Sequence, residues 1–170
     1  MSRIHGFPPL ATPQARILIL GSMPSLESLA RQQYYAHPRN AFWPILSALL
    51  GIEADTYESR ARQVTERGIA IWDVLRDCVR PGSLDADIDE KTAVVNDFDG
   101  FLHMHPDLCA ICFNGAKAES LFLKRVLPGL AGTFALLPCR RLPSTSPANA
   151  GMSFDEKLEA WRFILTAGLE

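Results

Sequence analysis

One stretch near the start of the chain gathers side chains that bind bases, phosphates and water. Residues 33–43 read Gln-Tyr-Tyr-Ala-His-Pro-Arg-Asn-Ala-Phe-Trp, and they follow a short loop, Gly21-Ser-Met-Pro-Ser25. Aromatic faces stack on bases, arginine contacts phosphate, and a carboxamide both donates and accepts hydrogen bonds. Because the stretch is neither periodic nor a simple turn, its composition favours a binding site for nucleic acid over a plain connection.

Each of these residues also has a structural interpretation. Asn40 could cap the helix that follows, and this is compatible with a second role in chemistry. His37, which precedes a proline, could be a loop histidine with its hydrogen bonds satisfied. Phe42 and Trp43 are expected in the core, so Tyr35 is the better candidate for stacking on a base.

Two later segments could complete such a site. Residues 142–149 (LPSTSPAN) form a rigid loop whose serines and backbone amides could hold phosphates and press into a minor groove, although Ser/Thr/Pro loops are also common connections. Asn114 ends an apolar run and precedes Gly115. Its side chain is expected to point into a crevice, and the alternative is a plain strand-to-helix turn.

Strands and helices alternate along the sequence. Short apolar runs predict buried strands at 15–20, 108–113 and 133–137, and helical periodicity predicts helices at 41–50, 56–67, 117–126 and 153–165. The last helix opens on a Ser153/Glu156 capping box, and Phe154, Leu158, Trp161 and Leu165 are expected to form its buried stripe.

This alternation predicts an α/β fold, a three-layer α/β/α sandwich with a central, mostly parallel sheet, in one domain spanning 1–170. Ligands of such sheets bind where loops leave the carboxyl ends of the strands. The loops expected there are 21–25 with its extension to 40, 114–115 and 142–149, while 80–90 is expected to be a surface loop.

Composition narrows the class of protein. The 170 residues are 48% hydrophobic and contain no apolar run of membrane-spanning length, so we expect a soluble, cytoplasmic monomer. The net charge of −2 and pI near 6.1 disfavour binding of nucleic acid by bulk charge. DNA binding would instead need a local patch of basic residues, and those in or beside the motif segments are Arg31, Arg39, Lys117, Arg140 and Arg141.

Four cysteines, Cys78, Cys109, Cys112 and Cys139, raise the question of a metal or cluster. Cys109 and Cys112 have CxxC spacing, but residues three apart in a strand point to opposite faces and no second pair matches them. We therefore expect buried free thiols, no metal and no organic cofactor.

The motifs together resemble a known family. The string Tyr35-Ala-His-Pro-Arg-Asn-Ala-Phe-Trp43, preceded by Gly21-Ser-Met-Pro-Ser25 and followed by Leu142-Pro-Ser144, is similar to the mismatch-specific and thymine-DNA glycosylases of the uracil-DNA glycosylase superfamily. Those proteins carry G-I-N-P-G, H-P-x-N-x-F-W and N-P-S in the same order. Met23 stands where that first motif usually has an Asn or Asp that positions water, and this departure resembles the hypoxanthine-DNA glycosylase branch, in which an asparagine corresponding to Asn40 takes the role.

The resemblance implies a glycosylase that flips a deaminated base out of DNA and hydrolyses its N-glycosidic bond: hypoxanthine first, with uracil and xanthine as further candidates. Asn40 would be catalytic, and the loss of the polar residue at Met23 puts uracil activity in doubt. The base pocket would comprise Gly21, Ser22, Met23, Pro24, Ser25, Tyr35, His37 and Asn114. Double- or single-stranded DNA would be held by Arg39, Lys117, Arg141, Ser144, Thr145, Ser146 and Pro147.

Two other functions fit the same residues. A noncatalytic module that binds lesions would explain the missing polar side chain at Met23, and a hydrolase of free nucleosides would suit the mildly acidic pI. A serine esterase is disfavoured because no G-x-S-x-G follows a strand.

Overall fold

The structure, a computed structural model, describes residues 2–168. Within these residues, two sheets and seven α-helices make up the fold. The strands are β1 (Arg3–His5), β2 (Ile17–Gly21), β3 (Ile69–Asp73), β4 (Leu75–Val79), β5 (Asp89–Val95), β6 (Ala110–Asn114) and β7 (Cys139–Leu142). The helices are α1 (Leu26–Arg31), α2 (Phe42–Leu50), α3 (Tyr57–Glu66), α4 (Phe98–Met104), α5 (Ala116–Arg125), α6 (Phe154–Trp161) and α7 (Phe163–Thr166).

The larger sheet has the order β3-β2-β6-β7, and all of its neighbouring strands run parallel. Every residue of β2, β3 and β6 is buried, as expected for a parallel sheet covered by helices. At the carboxyl edge Gly21 pairs with Asp73 and Asn114 pairs with Leu142. The predicted α/β class is confirmed, and the register places four chain segments side by side at one edge.

The predicted helices are confirmed with small shifts at their ends. Pro44 lies in the first turn of α2, where the missing N–H would have no partner in any case. The predicted cap at Asn40 is wrong by one residue, because Ala41 occupies the N-cap position. Asn40 still contributes, since its Oδ1 accepts a 3.0 Å hydrogen bond from the backbone N–H of Phe42.

The strand predicted at 133–137 is wrong. Residues Gly132–Leu136 form a 3-10 helix, and the strand is β7 (Cys139–Leu142), which lies at the edge of the sheet. Three of its four residues are exposed, Arg140 and Arg141 among them. An edge strand needs no apolar run, which is why the apolar pattern pointed to the preceding residues instead.

A second sheet was not predicted. β1, β4 and β5 pair antiparallel in the order β1-β4-β5, and a single residue, Val74, separates β4 from the end of β3. The connection from β4 to β5 is residues 80–88, whereas the sequence predicted a surface loop over 80–90. Leu84 and Asp85 are exposed as expected, but Arg80 and Ile88 are buried and residues 89–90 belong to β5. The segment also borders a cleft at the carboxyl edge of the larger sheet.

The carboxyl-terminal helix breaks into α6 and α7 at Arg162. The predicted capping box at Ser153 is confirmed, but Phe154 is 43% exposed and does not belong to the buried face. Of the predicted stripe, Trp161 is fully buried and Leu158 and Leu165 are partly buried, and Ile164, which was not predicted, is fully buried as well. None of the helices within residues 2–168 is long and apolar enough to cross a membrane.

Candidate active site

A cleft of about 1010 Å³ opens at the carboxyl edge of the parallel sheet. The three predicted loops meet there, and segment 83–86 forms a further part of the wall. The lining includes every residue predicted for the base pocket and for catalysis: Gly21, Ser22, Met23, Pro24, Ser25, Tyr35, His37, Asn40 and Asn114. Five residues predicted to hold DNA also line it: Arg141, Ser144, Thr145, Ser146 and Pro147.

Gly21 lies where β2 opens into the cleft, in a position that has no room for a side chain. A Cβ there would stand 2.5 Å from Oδ1 of Asp73 and 2.9 Å from the hydroxyl of Tyr35. The glycine therefore lets two polar groups, from β3 and from the loop after α1, approach the same point.

Asp73 is a site residue that sequence reasoning missed. It lines the cleft, is 4% exposed, and its Oδ2 has no hydrogen-bond partner within residues 2–168. Burial raises the pKa of this carboxyl to about 7, with Arg80 opposing the shift and Asp85 adding to it. The available signal was an acidic residue directly after the apolar run 69–72, which ends β3 as Asn114 ends β6.

The loop 21–25 is held by residues from the connection after β4. Arg80 is 3% exposed and donates to the carbonyl oxygens of Met23, at 3.5 Å, and of Pro24. Its Nε donates to the carbonyl of Gly82 at 2.6 Å. From the same connection, Asp85 accepts a hydrogen bond from the Ser22 hydroxyl. The conformation of the first motif thus depends on residues almost sixty positions away.

Tyr35 adopts a left-handed backbone conformation, φ 54°, which is uncommon for a residue with a side chain. Its ring stacks on Phe42 with centroids 3.8 Å apart, so only the opposite face remains for a base. Its hydroxyl is buried without a hydrogen-bond partner in the described chain. Burial, and next Asp73, raise the pKa of this phenol, which keeps it a neutral donor.

Asn40 lies half-buried in the cleft wall at the start of α2. Its Oδ1 binds the Phe42 N–H, whereas its Nδ2 makes no hydrogen bond within residues 2–168. The neighbouring His37 accepts a 3.1 Å bond at Nδ1 from the N–H of Arg39. The oxygen of Asn40 is therefore fixed by the helix, and its amide nitrogen is available to a ligand.

The loop 143–149 is anchored from three directions. Asn114 exchanges two hydrogen bonds of 2.9 Å with Thr145, one to its hydroxyl and one from its N–H. Trp161 of α6 donates to the Pro143 carbonyl at 2.9 Å, and the buried Lys157 donates to Ser146 at 3.4 Å. Thr145 is 1% exposed, so its role is to hold the loop rather than to meet phosphate directly.

Comparison with known proteins shows the family of this chain. Residues 8–165 match the family described as the uracil DNA glycosylase superfamily. The chain belongs to that superfamily. Two relatives bear the name hypoxanthine DNA glycosylase. One, from Methanosarcina acetivorans, is 36% identical over 162 residues, covering 94% of this chain and 96% of the relative. The other, from Methanosarcina barkeri, is 36% identical over 116 residues, covering 67% and 72%.

A solved structure from the same superfamily has the same fold. The solution NMR structure of a Methanosarcina acetivorans protein described as a uracil DNA glycosylase superposes with a TM-score of 0.77 at 34% identity. The match covers 96% of this chain and 99% of the other. The resemblance inferred from the motifs is thereby confirmed, as is the prediction of a DNA glycosylase.

DNA is the substrate implied by the superfamily, yet the predicted basic residues are largely paired with other groups. Lys117 forms an ion pair with Glu90 and lies outside the cleft, and Arg141 stands 3.7 Å from Glu119. Arg39 also lies outside the cleft lining but is exposed. Within residues 2–168, no group of three His, Cys, Asp or Glu side chains is arranged to hold a metal ion.

Proposed function

We propose that this protein excises hypoxanthine from DNA by hydrolysing its N-glycosidic bond. The observation that carries the proposal is the cleft at the carboxyl edge, which Asn40, Tyr35 and Asn114 line together with the loop 21–25. Two relatives of this chain carry the name hypoxanthine DNA glycosylase, and one of them matches 94% of it. Uracil and xanthine are further candidate bases.

The target base must leave the duplex before its glycosidic bond can be reached. A cleft of about 1010 Å³ has room for a flipped nucleotide. The free face of Tyr35 would stack on the base. The N–H groups of Met23 and Ser25 donate to no protein acceptor within residues 2–168 and would bind its carbonyl oxygen. Asn114 would read the base edge with the donor and acceptor capacity that Thr145 leaves unused.

Cleavage leaves positive charge on the sugar and negative charge on the departing base, and the site would stabilise both. The amide nitrogen of Asn40 would position the attacking water or the sugar. No lysine lines the cleft in the described part of the chain, which supports a monofunctional enzyme without a Schiff-base intermediate. We expect an abasic site and an intact strand as the product.

Contacts to DNA would come from the rim of the cleft. Arg141, Ser144 and Ser146, which line the cleft, and the exposed Arg39 would meet the phosphates that flank the flipped nucleotide, in double- or single-stranded DNA. Lys117 would contribute only if DNA displaces Glu90. We further propose that the protein acts as a cytoplasmic monomer.

The test is an alkali-cleavage assay on oligonucleotides that hold hypoxanthine, uracil, xanthine or thymine opposite each normal base. With EDTA present, single-turnover reactions should yield abasic product from hypoxanthine first. Binding of the lesion without any product would instead favour a noncatalytic module. Inhibition by free inosine, with turnover of the nucleoside itself, would favour a nucleoside hydrolase.

Salt dependence provides a second check on DNA as the partner. Each phosphate neutralised by Lys or Arg adds about 0.9 to the slope of log affinity against log salt. Because Lys117 and Arg141 already have acidic neighbours, we expect a shallow slope, on the order of two to three. An affinity that stays constant between about 50 and about 200 mM salt would contradict the proposal.

A further inference from the structure

One carboxyl group that lines the cleft, that of Asp73, has no role in the function proposed above. Asp73 ends β3 beside Gly21, is 4% exposed, and leaves Oδ2 without a partner in the described chain. Buried polar groups almost always have hydrogen-bond partners, so an exception inside a binding cleft calls for a ligand that completes it. The hydroxyl of Tyr35, which also lacks a partner, approaches the same point.

The neighbours of Asp73 do not neutralise it as an anion. Arg80 is the nearby cation, but its guanidinium donates to the carbonyl oxygens of Met23, Pro24 and Gly82. The other ionisable groups that influence the carboxyl or face it are Asp85, Tyr34 and Tyr35. Burial disfavours the carboxylate most and the nearby acid Asp85 adds to this effect, so the pKa of Asp73 is raised to about 7 although Arg80 opposes the shift.

A purine leaves its sugar with the electron pair of the C1′–N9 bond. The negative charge spreads over the ring, and protonation at a ring nitrogen turns a poor leaving group into a neutral one. A carboxyl group that remains protonated near neutral pH is suited to deliver that proton. Hydrogen-bond donors alone, such as the backbone amides of the loop 21–25, can only share the charge.

We infer that Asp73 is the general acid that protonates the purine as it departs, a role that rests on the proposed excision of hypoxanthine. The C1′–N9 bond breaks and its electrons go to the base, while the Asp73 O–H proton moves to a ring nitrogen. A water oxygen bonds to C1′, and the proton that this water loses returns through solvent to the Asp73 carboxylate. The products are neutral hypoxanthine and an abasic sugar.

Single-turnover excision across a pH series tests this assignment. The unaltered protein should lose activity as the pH rises above about 7, by about tenfold per unit, because the carboxyl loses its proton. Asp73→Asn keeps the shape and a donor but has no proton to give, so below about pH 7 it should be slower by about 10²- to 10⁴-fold. Its rate should also be independent of pH over that range.

The matched control is Asp107→Asn. Asp107 is exposed and precedes β6, at the edge of the sheet opposite the cleft, so this variant should reproduce both the rate and the pH profile of the unaltered protein. His37→Gln removes the histidine of the cleft wall, and the loss of activity above about pH 7 should persist in it. If the activity of His37→Gln no longer falls above about pH 7, the pH dependence does not come from Asp73, and the assignment is wrong.

The remaining outcomes of these assays separate the role of Asp73 from the proposed function. Excision by Asp73→Asn at a rate near normal, with the pH profile unchanged, would overturn the role of Asp73 and leave the proposed function standing. No abasic product from the unaltered protein would overturn both. If Asp73→Asn does not fold, the unaltered protein decides alone, since a rate that is constant or rises between about pH 6 and about pH 9 excludes the acid.

Discussion

Asn114 and Thr145 are joined by two hydrogen bonds of 2.9 Å, both buried, that tie the end of β6 to the loop 143–149. The same asparagine is the proposed reader of the base edge, so its structural and functional roles must be separated. Asn114→Ala removes both bonds and leaves the Thr145 N–H buried without a partner. We expect it to lower the free energy of unfolding by about 1–3 kcal/mol, measured by urea denaturation.

Asn114→Asp is the matched variant. Its carboxylate still accepts from the Thr145 N–H, and the threonine hydroxyl can rotate to donate to it, so the loop should stay in place. If Asn114 reads the base, excision of hypoxanthine should nevertheless fall by an order of magnitude or more, because a donor has become a charge. Excision that remains near normal in Asn114→Asp would limit the residue to its structural role.

Two substitutions separate the structural role of Asn40 from its proposed role in the chemistry. Asn40→Ala removes the acceptor for the Phe42 N–H and should cost about 0.5–1.5 kcal/mol of stability, the contribution of one hydrogen bond. Asn40→Asp keeps that acceptor and loses only the amide nitrogen, the atom proposed to act on water or sugar. We expect a melting temperature close to that of the unaltered protein and a single-turnover rate lower by about a hundredfold or more.

The outcome that would remove Asn40 from the chemistry is near-normal excision by folded Asn40→Ala that still binds the lesion. The search would then pass to His37, Asn114 and the serines of the loop 143–149.

The raised pKa of Asp73 should make the free energy of unfolding decrease as the pH rises toward about 7. Its pKa is raised from 3.8 to about 7 in the folded protein, so between these values the folded chain keeps a proton that the unfolded chain has lost. Its stabilising contribution is complete below about pH 4 and is lost as the pH rises to about 7. Relative to Asp73→Asn, the unaltered protein should lose on the order of a few kcal/mol over this range.

Urea denaturation of both proteins at about pH 5 and about pH 8 measures this difference. Parallel losses in the two proteins would show that another group is responsible. This test does not depend on activity, so it examines the ionisation of Asp73 separately from its proposed chemistry.

Arg80 should be essential for the first motif loop although it is remote in sequence. Arg80→Met leaves the carbonyl oxygens of Met23 and Pro24 without their buried donor, and we expect a loss of stability on the order of 3 kcal/mol together with a marked loss of excision. Arg80→Lys should recover only part of either, because an ammonium lacks the planar fork of donors.

Arg62→Met serves as the control, because Arg62 is 68% exposed on α3 and its contact with Glu66 is 4.0 Å long. Exposed pairs contribute about 0–1 kcal/mol, so this variant should unfold at nearly the same urea concentration as the unaltered protein. A loss in Arg62→Met equal to that in Arg80→Met would show that charge alone, and not the bonds to the loop, is responsible.

Local patterns in the sequence were sufficient for much of the fold and for the location of the site. Apolar runs that end at Gly21 and near Asn114 predicted two parallel strands, and the Ser153/Glu156 capping box predicted the start of α6, because these signals depend only on neighbouring residues. The carboxyl ends of parallel strands share one edge, so the predicted meeting of the motif loops followed from the fold class.

Other features depend on contacts between distant residues and were decided by the tertiary structure alone. The pKa of Asp73 is raised because packing removes the carboxyl from water while Arg80 is engaged by backbone carbonyls of another loop. The hydrogen bonding of Thr145 to Asn114 and the ion pair of Lys117 with Glu90 likewise join residues that are distant in the sequence. Burial and charge pairing are set by neighbours in space, which the order of residues along the chain does not specify.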